Sequence, residues 1–355
     1  MPDFDHTTLA QRVLFGTGRA ANNARAEVAR RGAGSVMLIS SSTEHPVVQQ
    51  IRSDLRPALV YTDVAPHVPI SNAEAARAAA REHHTDLMIS IGGGSTVGLA
   101  KAVALSTGIP IVAIPTTYAG SEATNVWGIT ENNRKATGVD DAVLPTTVIY
   151  DATLTATLPA RLAVASGLNA LAHSIDAMWS PRTDPINQAL AVEAIADLAA
   201  GLAAIHTDPT ALTGHERTLM GAYLSAVAFA SAGSGMHHKI CHVLGGAYDL
   251  PHAQTHAIVL PYVLAFNQSS ARNAAARIAG AFHAPTALDG LQALRTRLGA
   301  PRALRDIGFR ESDIAEAAEL VLPVIPPSNP RPVTRDSMTA LLTAAWAGTQ
   351  PEDLQ

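Results

Sequence analysis

The stretch DLMISIGGGSTVGLAKAVAL, residues 86–105, reads as strand, glycine loop and helix in that order. Its first seven residues, 86–92, are nearly continuous in apolar character, as a strand covered on both faces should be. Gly92, Gly93, Gly94 and Ser95 fill the loop, and a helix is expected to start near Thr96. Three glycines open backbone dihedrals closed to other residues and leave room for a bulky anion. Exposed N–H groups at the helix start then favour a pyrophosphate. A tight strand-to-helix turn with no ligand could use the same residues. The position after a buried strand and before a helix favours the phosphate cradle. The pattern is not G-x-G-x-x-G, so the standard dinucleotide fingerprint is not claimed.

Working outward, SVMLIS (35–40), LVYTDV (59–64), IPIVAIP (109–115) and TTVIYD (146–151) read as further strands. NNARAEVARRG (22–32), stopped by Gly32, and SNAEAARAAAREHH (71–84), opened by a capping box of Ser71 with Glu74, read as helices. Such alternation predicts an α/β domain, a parallel sheet with helices on both faces. VWGITENNRKATG (126–138) reads instead as a β-hairpin turning at Asn132-Asn133. Thr116, Thr117 and Ser121 follow a strand's carboxyl end, where open α/β sheets place ligands. Their hydroxyls could bond phosphate or ribose, or merely satisfy turn backbone. The second strand ends in Ser40-Ser41-Ser42, with no carboxylate to hold an adenine ribose diol or repel a 2′-phosphate. Ser41 is therefore a candidate coenzyme contact, and the choice between NADH and NADPH stays open.

Past Asp151 only helical periodicity is found, over residues 185–206, 216–231, 287–299, 311–322 and 334–348. The division predicted is an NAD(P)-binding α/β domain over residues 1–151 and an all-helical domain over 152–355. A chain of 355 residues exceeds one ordinary core, which agrees. The Pro-rich stretch 322–332 reads as a loop. The net charge of −5 and the lack of a long basic run make nucleic acid a poor partner. No secretory leader and no uninterrupted apolar run of membrane-spanning length is seen. The single cysteine, Cys241, rules out an internal disulfide framework. A soluble, cytoplasmic protein with no membrane partner is expected.

MHHKICHVLGGAYDLPHAQTH (236–256) holds five of the chain's 14 histidines. His238 and His242 lie four residues apart, and Asn169 and His173 repeat that spacing in SGLNALAHSIDA (166–177), which stacks each pair on one helix face. His252 follows past the turn-like GGAYDLP. Together they could converge on one point between the domains. Each alone has a plainer reading: His173 as a hydrogen-bonded helix histidine, His237 and His256 as polar neighbours or surface residues. The set is harder to dismiss, because buried imidazoles need partners.

These residues carry a resemblance. GGGSTVGLAKAVAL (92–105), IPTTYAGSEATNVWGITE (114–131), LPTTVIYD (144–151), SGLNALAHSIDA, HHKICHVLGGAYDLPHAQTHAIVLPY (237–262) and NPRPVTRDSMTALLTAAWAG (329–348) resemble the iron-containing (group III) alcohol dehydrogenase superfamily, and within it the maleylacetate reductases. The resemblance covers nearly the whole chain. It implies a dehydroquinate synthase-like dinucleotide domain, a helical domain, a cleft between them and a homodimer. The superfamily's metal pattern, one aspartate and three histidines, falls on Asn169, His173, His238 and His252. His242 matches the further family histidine near nicotinamide and substrate. The amide at Asn169 removes a negative charge and the strongest oxygen ligand, so the metal site is expected to be vestigial or weak, although three imidazoles could still hold zinc.

The implied reaction is NADH- or NADPH-dependent reduction of the C=C bond of maleylacetate, or of a substituted maleylacetate, to 3-oxoadipate in aromatic-compound degradation. A conjugated enone spreads the charge of hydride addition, so hydrogen-bond donors and imidazolium groups can replace a Lewis acid. The expectation is a former metal cage turned cationic acid–base site. His242 or His238 gives the proton, Asn169 orients a neighbour or bonds substrate, and His237, His238, Lys239 and His242 attract the dianion. Arg182 and Arg331 are other cations, more simply read as solvated surface. The alternatives are a metal-dependent NAD(P) alcohol or aldehyde oxidoreductase, a dehydroquinate synthase-like lyase using NAD and zinc, and a non-catalytic nucleotide-binding protein.

Overall fold

A computed structural model describes residues 3–131 and 134–354. It divides into two compact units, Leu9–Leu158 and Met1–Thr8 with Pro159–Gln355.

The first unit runs β1 (Arg12–Phe15), α1 (Ala20–Arg31), β2 (Val36–Ile39), α2 (Pro46–Leu55), β3 (Leu59–Tyr61), α3 (Ile70–Glu82), β4 (Leu87–Gly92), α4 (Gly94–Thr107), β5 (Ile111–Pro115), β6 (Val126–Glu131), β7 (Arg134–Val139), β8 (Thr147–Tyr150) and α5 (Ala152–Thr155). Six strands form one sheet in the order β1-β8-β5-β4-β2-β3, all parallel. Every residue of β2, β4, β5 and β8 is buried. Two apolar clusters explain this. Ala20, Ala24, Val48 and Ile51 of α1 and α2 pack with Leu38, Ile89 and Val112 on one face. Ala73, Ala76, Ala80, Val97 and Val103 of α3 and α4 pack with Met37, Met88 and Ala113 on the other.

The strands and helices expected from sequence are present, with differences at their ends. Strand β1 was not foreseen; it is an edge strand with only half-buried side chains between exposed ends. Helix α2 was not foreseen either, although Pro46 opens it and His45 accepts a bond from the Val47 N–H. The expected capping box of Ser71 with Glu74 is absent. Helix α3 starts at Ile70 after Pro69, with no side-chain cap. Helix α1 does stop at Gly32, at φ 64° in the left-handed region. Strands β6 and β7 pair antiparallel from Val126↔Val139 to Glu131↔Arg134, the arms of the expected hairpin; its turn at Asn132-Asn133 lies outside the described residues.

The first unit extends past Asp151. That carboxylate accepts N–H bonds from Gly18 at 2.8 Å and Ala20 at 2.9 Å, so it is stitched to the start of α1. The first residues of the chain belong instead with the helical unit, where His6 Nδ1 lies 2.8 Å from Asp184 Oδ2.

The second unit runs α6 (Ala160–Ala177), α7 (Pro185–Thr207), α8 (Leu212–Ala232), α9 (Met236–Tyr248), α10 (His252–Gln268), α11 (Arg272–Phe282), α12 (Ala287–Arg297), α13 (Ile314–Val321) and α14 (Arg335–Ala347). All strands among the described residues lie in the first unit. Helix α7 is long and apolar enough to cross a membrane by length and composition, yet it carries Glu193 and Asp197 and packs against α6 and α8. The turn-like GGAYDLP is helix for half its length: α9 runs through Gly245 and Gly246 to Tyr248 and breaks at Asp249, φ 52°.

Glu27 of α1 is buried, and its carboxylate joins Arg30, Arg31 and the Thr147 hydroxyl of β8, at 2.6 Å. The Arg30 bond above all holds its carboxyl down at about 2, against the upward push of burial. A depressed carboxyl contributes stability above its unfolded pKa of 4.5 and loses that contribution as pH falls through about 2. Glu27→Gln should therefore cost about 1–2 kcal/mol at neutral pH, discounted for the half-exposed Arg30. The gap from wild type should close as the medium is acidified below that unfolded value. Urea midpoints across this range check it, and a gap independent of pH would refute it.

Candidate active site

Strand β2 leads to β3 by α2 on one face, whereas β3 leads to β4 by α3 on the other. The strand order therefore reverses between β2 and β4, the point at which open α/β sheets bind ligands. Both strands end there, β4 in Gly92 and β2 just before Ser40. Helix α4 starts at Gly94, two residues before the expected Thr96, with Gly93 as its cap residue. The Thr96 and Val97 N–H groups donate to the Gly93 carbonyl, and the N–H groups ahead of them at a helix start are the kind that suit an anion.

Close packing excludes a side chain at Gly92 and crowds one at Gly93. A Cβ at Gly92 would lie 2.3 Å from Thr96 Oγ1, and one at Gly93 would lie 3.0 Å from Thr117 Cγ2. The Thr116 N–H donates to the Gly92 carbonyl at 3.1 Å. Gly92, Gly93, Gly94, Ser95, Thr116 and Thr117 thus meet on one rim. Ser41 is exposed after β2 on the same edge of the sheet, and Ser121 opens a short 3-10 turn farther along the loop after β5. A tight glycine turn at a helix start fits a dinucleotide's pyrophosphate.

In the helical unit, α6 carries Asn169, His173 and Asp176; α9 carries His237, His238, Cys241 and His242; α10 carries His252 and His256. The four expected histidines do come together. Ring centroids are 4.8 Å apart for His173 and His238, 6.1 Å for His238 and His242, and 6.3 Å for His242 and His252. His242 is half-buried and His252 exposed. Asn169 is buried one turn before His173, and its Oδ1 has no hydrogen-bond partner. Lys239 is half-buried and makes no hydrogen bond or ion pair among the described residues.

Several participants were missed or misread. His237 and His256 are not surface residues: both are buried, with His237 Nε2 3.0 Å from His256 Nδ1. Cys241 Sγ lies 3.7 Å from the same His237 nitrogen, so the three could reach one ion, but the two imidazoles already hold each other. Phe229 of α8 lies against His173 and His238, at 4.9 and 4.3 Å. Asp176 is buried, and its Oδ2 lies 2.9 Å from His238 Nδ1. The signal for it was periodicity, since Asn169, His173 and Asp176 recur at helical spacing on one face.

The expected cationic character needs correction. Burial pushes His173 and His237 down to about 3, and it pushes His238 and His256 well below the ordinary imidazole range; neighbouring imidazoles add to each shift. A dry volume shared by several rings cannot hold several imidazolium charges. Burial pushes the Asp176 carboxyl up to about 7, opposed by the N–H groups of His238, His237 and Gly235. Arg182 donates to the Ser231 and Ala230 carbonyls at the end of α8, and Arg331 lies over the Phe266 ring at 4.4 Å.

Residues 10–152 match the iron-containing alcohol dehydrogenase family and residues 163–346 match its C-terminal part. The chain belongs to the iron-containing alcohol dehydrogenase family. A maleylacetate reductase of Rhodococcus opacus is 42% identical over 99% of this chain and 98% of its own. An iron-containing alcohol dehydrogenase of Corynebacterium glutamicum, solved as a crystal structure, is 54% identical over the full length of both chains, with a TM-score of 0.98. The crystal structure of maleylacetate reductase from Rhizobium sp. strain MTP-10005 is 38% identical, covers 99% of this chain and 100% of its own, and has a TM-score of 0.93.

The family's name implies an ion, and the residues present fit one only in part. Buried Asn169 Oδ1 and His238 Nε2 have no partner, as ligand atoms awaiting an ion would. Yet three imidazoles and an amide offer a divalent cation no negative charge, and the Asp176 carboxylate bonds His238 Nδ1, the ring nitrogen opposite the unpartnered Nε2.

A histidine kept neutral in the fold weakens the protein in acid, because the unfolded chain binds the extra proton below its pKa of 6.5. The loss is about 1.4 kcal/mol per pH unit for each such residue. His237→Gln should make the fall in stability between neutral pH and about pH 5 shallower by one proton's worth. Urea unfolding at both values measures it, and an unchanged slope would show that His237 is charged in the native state.

Proposed function

We propose that this enzyme reduces the C=C bond of maleylacetate to 3-oxoadipate with NADH or NADPH, a step in aromatic-compound degradation. The observation that carries this reading is the full-length similarity to maleylacetate reductases. The bound coenzyme supplies a hydride, which adds to the alkene carbon β to the ketone. The electron pair moves onto the ketone oxygen, and the resulting enolate takes a proton at the carbon between. NADH, maleylacetate and one proton give NAD⁺ and 3-oxoadipate.

His242 supplies that proton. His238 is the poorer donor, because its Nδ1 is engaged by Asp176 and burial keeps the ring neutral. His173, His238, His252 and Asn169 shape the pocket around the enone, and Lys239 with His242 offers cationic attraction to the carboxylates. Gly92, Gly93, Gly94 and Ser95 cradle the pyrophosphate, while Thr116, Thr117, Ser121 and Ser41 contact phosphate or ribose. With the amide at Asn169, a divalent ion is held weakly or not at all. An ion at His173, His238, His252 and Asn169 would supply Lewis acidity, which an enone needs less than an isolated carbonyl does. A cytoplasmic homodimer belongs to the same reading and rests on family resemblance.

The second reading is metal-dependent alcohol oxidation, favoured by the unpartnered ligand atoms of Asn169 and His238. The decisive assay follows loss of NADH or NADPH absorbance with maleylacetate, with and without EDTA. Turnover insensitive to the chelator is expected. Activity abolished by EDTA and restored by zinc or iron would overturn the metal-free version, and metal-dependent turnover of alcohols without turnover of maleylacetate would establish the second reading. His242→Asn should lower kcat by about 10²–10⁴-fold. Gly93→Ala, which pushes a methyl against Thr117, should raise the coenzyme KM about tenfold and leave kcat within a few-fold.

A further inference from the structure

We propose that Asp176 is the positioning residue of the histidine cluster, fixing both the seat of α9 and the proton-bearing nitrogen of His238. The consequence drawn for turnover rests on the reductase reading above; the geometric claim does not.

The Asp176 carboxylate is fully buried, and no lysine or arginine pairs with it among the described residues. Its charge is met by N–H groups instead: Gly235 at 2.9 Å, His237 at 3.3 Å and His238 at 3.4 Å. These belong to the opening turn of α9, whose own cap residue, Gly235, has no side chain to offer. A carboxylate from α6 therefore caps α9, where the helix dipole also favours it. The approach is close enough to dictate sequence. A Cβ at Gly235 would fall 2.4 Å from Asp176 Oδ1 and 2.8 Å from Ser180 Oγ.

The oxygen that takes the Gly235 and His238 N–H bonds also lies 2.9 Å from His238 Nδ1. Above about pH 7, where the Asp176 carboxyl is ionised, it only accepts, so the imidazole proton must sit on Nδ1. Nε2 is then a lone pair, buried and without a partner. His173 and Phe229 lie against the ring, so its plane is set by packing while Asp176 sets which edge faces inward. His238 thus offers the pocket an acceptor, and proton donation passes to another ring. Without the carboxylate the ring can flip or change tautomer and present an N–H in place of the lone pair.

The test uses histidine-¹⁵N-labelled whole protein at mildly alkaline pH, with the His238 signals assigned by their loss in His238→Gln. Wild type should show the Nδ1-protonated tautomer; an Nε2-protonated ring would overturn the proposal whether or not any variant folds. Asp176→Asn should shift His238 to the other tautomer or a mixture and lower kcat by about 10- to 100-fold, with coenzyme KM within twofold. Asp176→Glu should restore the wild-type tautomer and part of kcat. An Asp176→Asn protein that is folded by circular dichroism and keeps the wild-type tautomer would overturn the proposal, whatever its activity. Failure of wild type to turn over maleylacetate would remove the reductase reading and leave the NMR result standing.

Discussion

A dry volume that holds several imidazoles and one carboxylate tolerates few charge patterns. Each ring that took a proton would raise the cost of the next, so the interior rings stay neutral. Where Asp176 is ionised, its charge is compensated by the peptide dipoles at the start of α9, in place of a cation. From that constraint follow the glycine at position 235, the crossing of α6 and α9, and the lone pair at His238 Nε2. Chemistry and helix packing are here one problem, because the same carboxylate serves both.

One cation close to the glycine loop in sequence is engaged within the fold. Lys101 is buried in α4, and its ammonium donates to the Thr124 carbonyl, the Thr124 hydroxyl and the Val126 carbonyl; burial pushes it down to about 7. It ties the helix after the glycine loop to the strand that opens the hairpin. The cradle ahead of it relies on backbone N–H groups, which carry no desolvation penalty comparable to a buried ammonium. The second unit meets the charge of its own Asp176 with oriented dipoles, and under the proposed function the first would meet a ligand's charge in the same way.

What the sequence made legible follows from how local each signal is. Strands β2, β4, β5 and β8 were readable because burial on both faces leaves unbroken apolar runs. Edge strand β1 has no such run, and α2 is short with a proline at its start. The Ser71–Glu74 spacing misled, because the chain already enters the helix at Ile70. Gly245 and Gly246 looked like a turn, but α9 continues through them and breaks only at Asp249. In the site, i, i+4 spacing found Asn169 with His173 and His238 with His242, since both members of each pair lie on one element. The burial of His237 and His256 was hidden, because it arises from contact between α9 and α10. Asp176 stood in a quoted motif yet looked like an ordinary helix carboxylate; its meaning depends on Gly235, far along the chain.

The His6 contact has a practical reach. Asp184 caps α7 through the N–H groups of Ile186 and Asn187, and His6 grips the other carboxylate oxygen. The front end of the polypeptide is thereby fastened to the bundle, although the segment directly after it enters the sheet. Shortening that end, or crowding it with a fused tag, would disturb the longest helix of the bundle before it touched the strands.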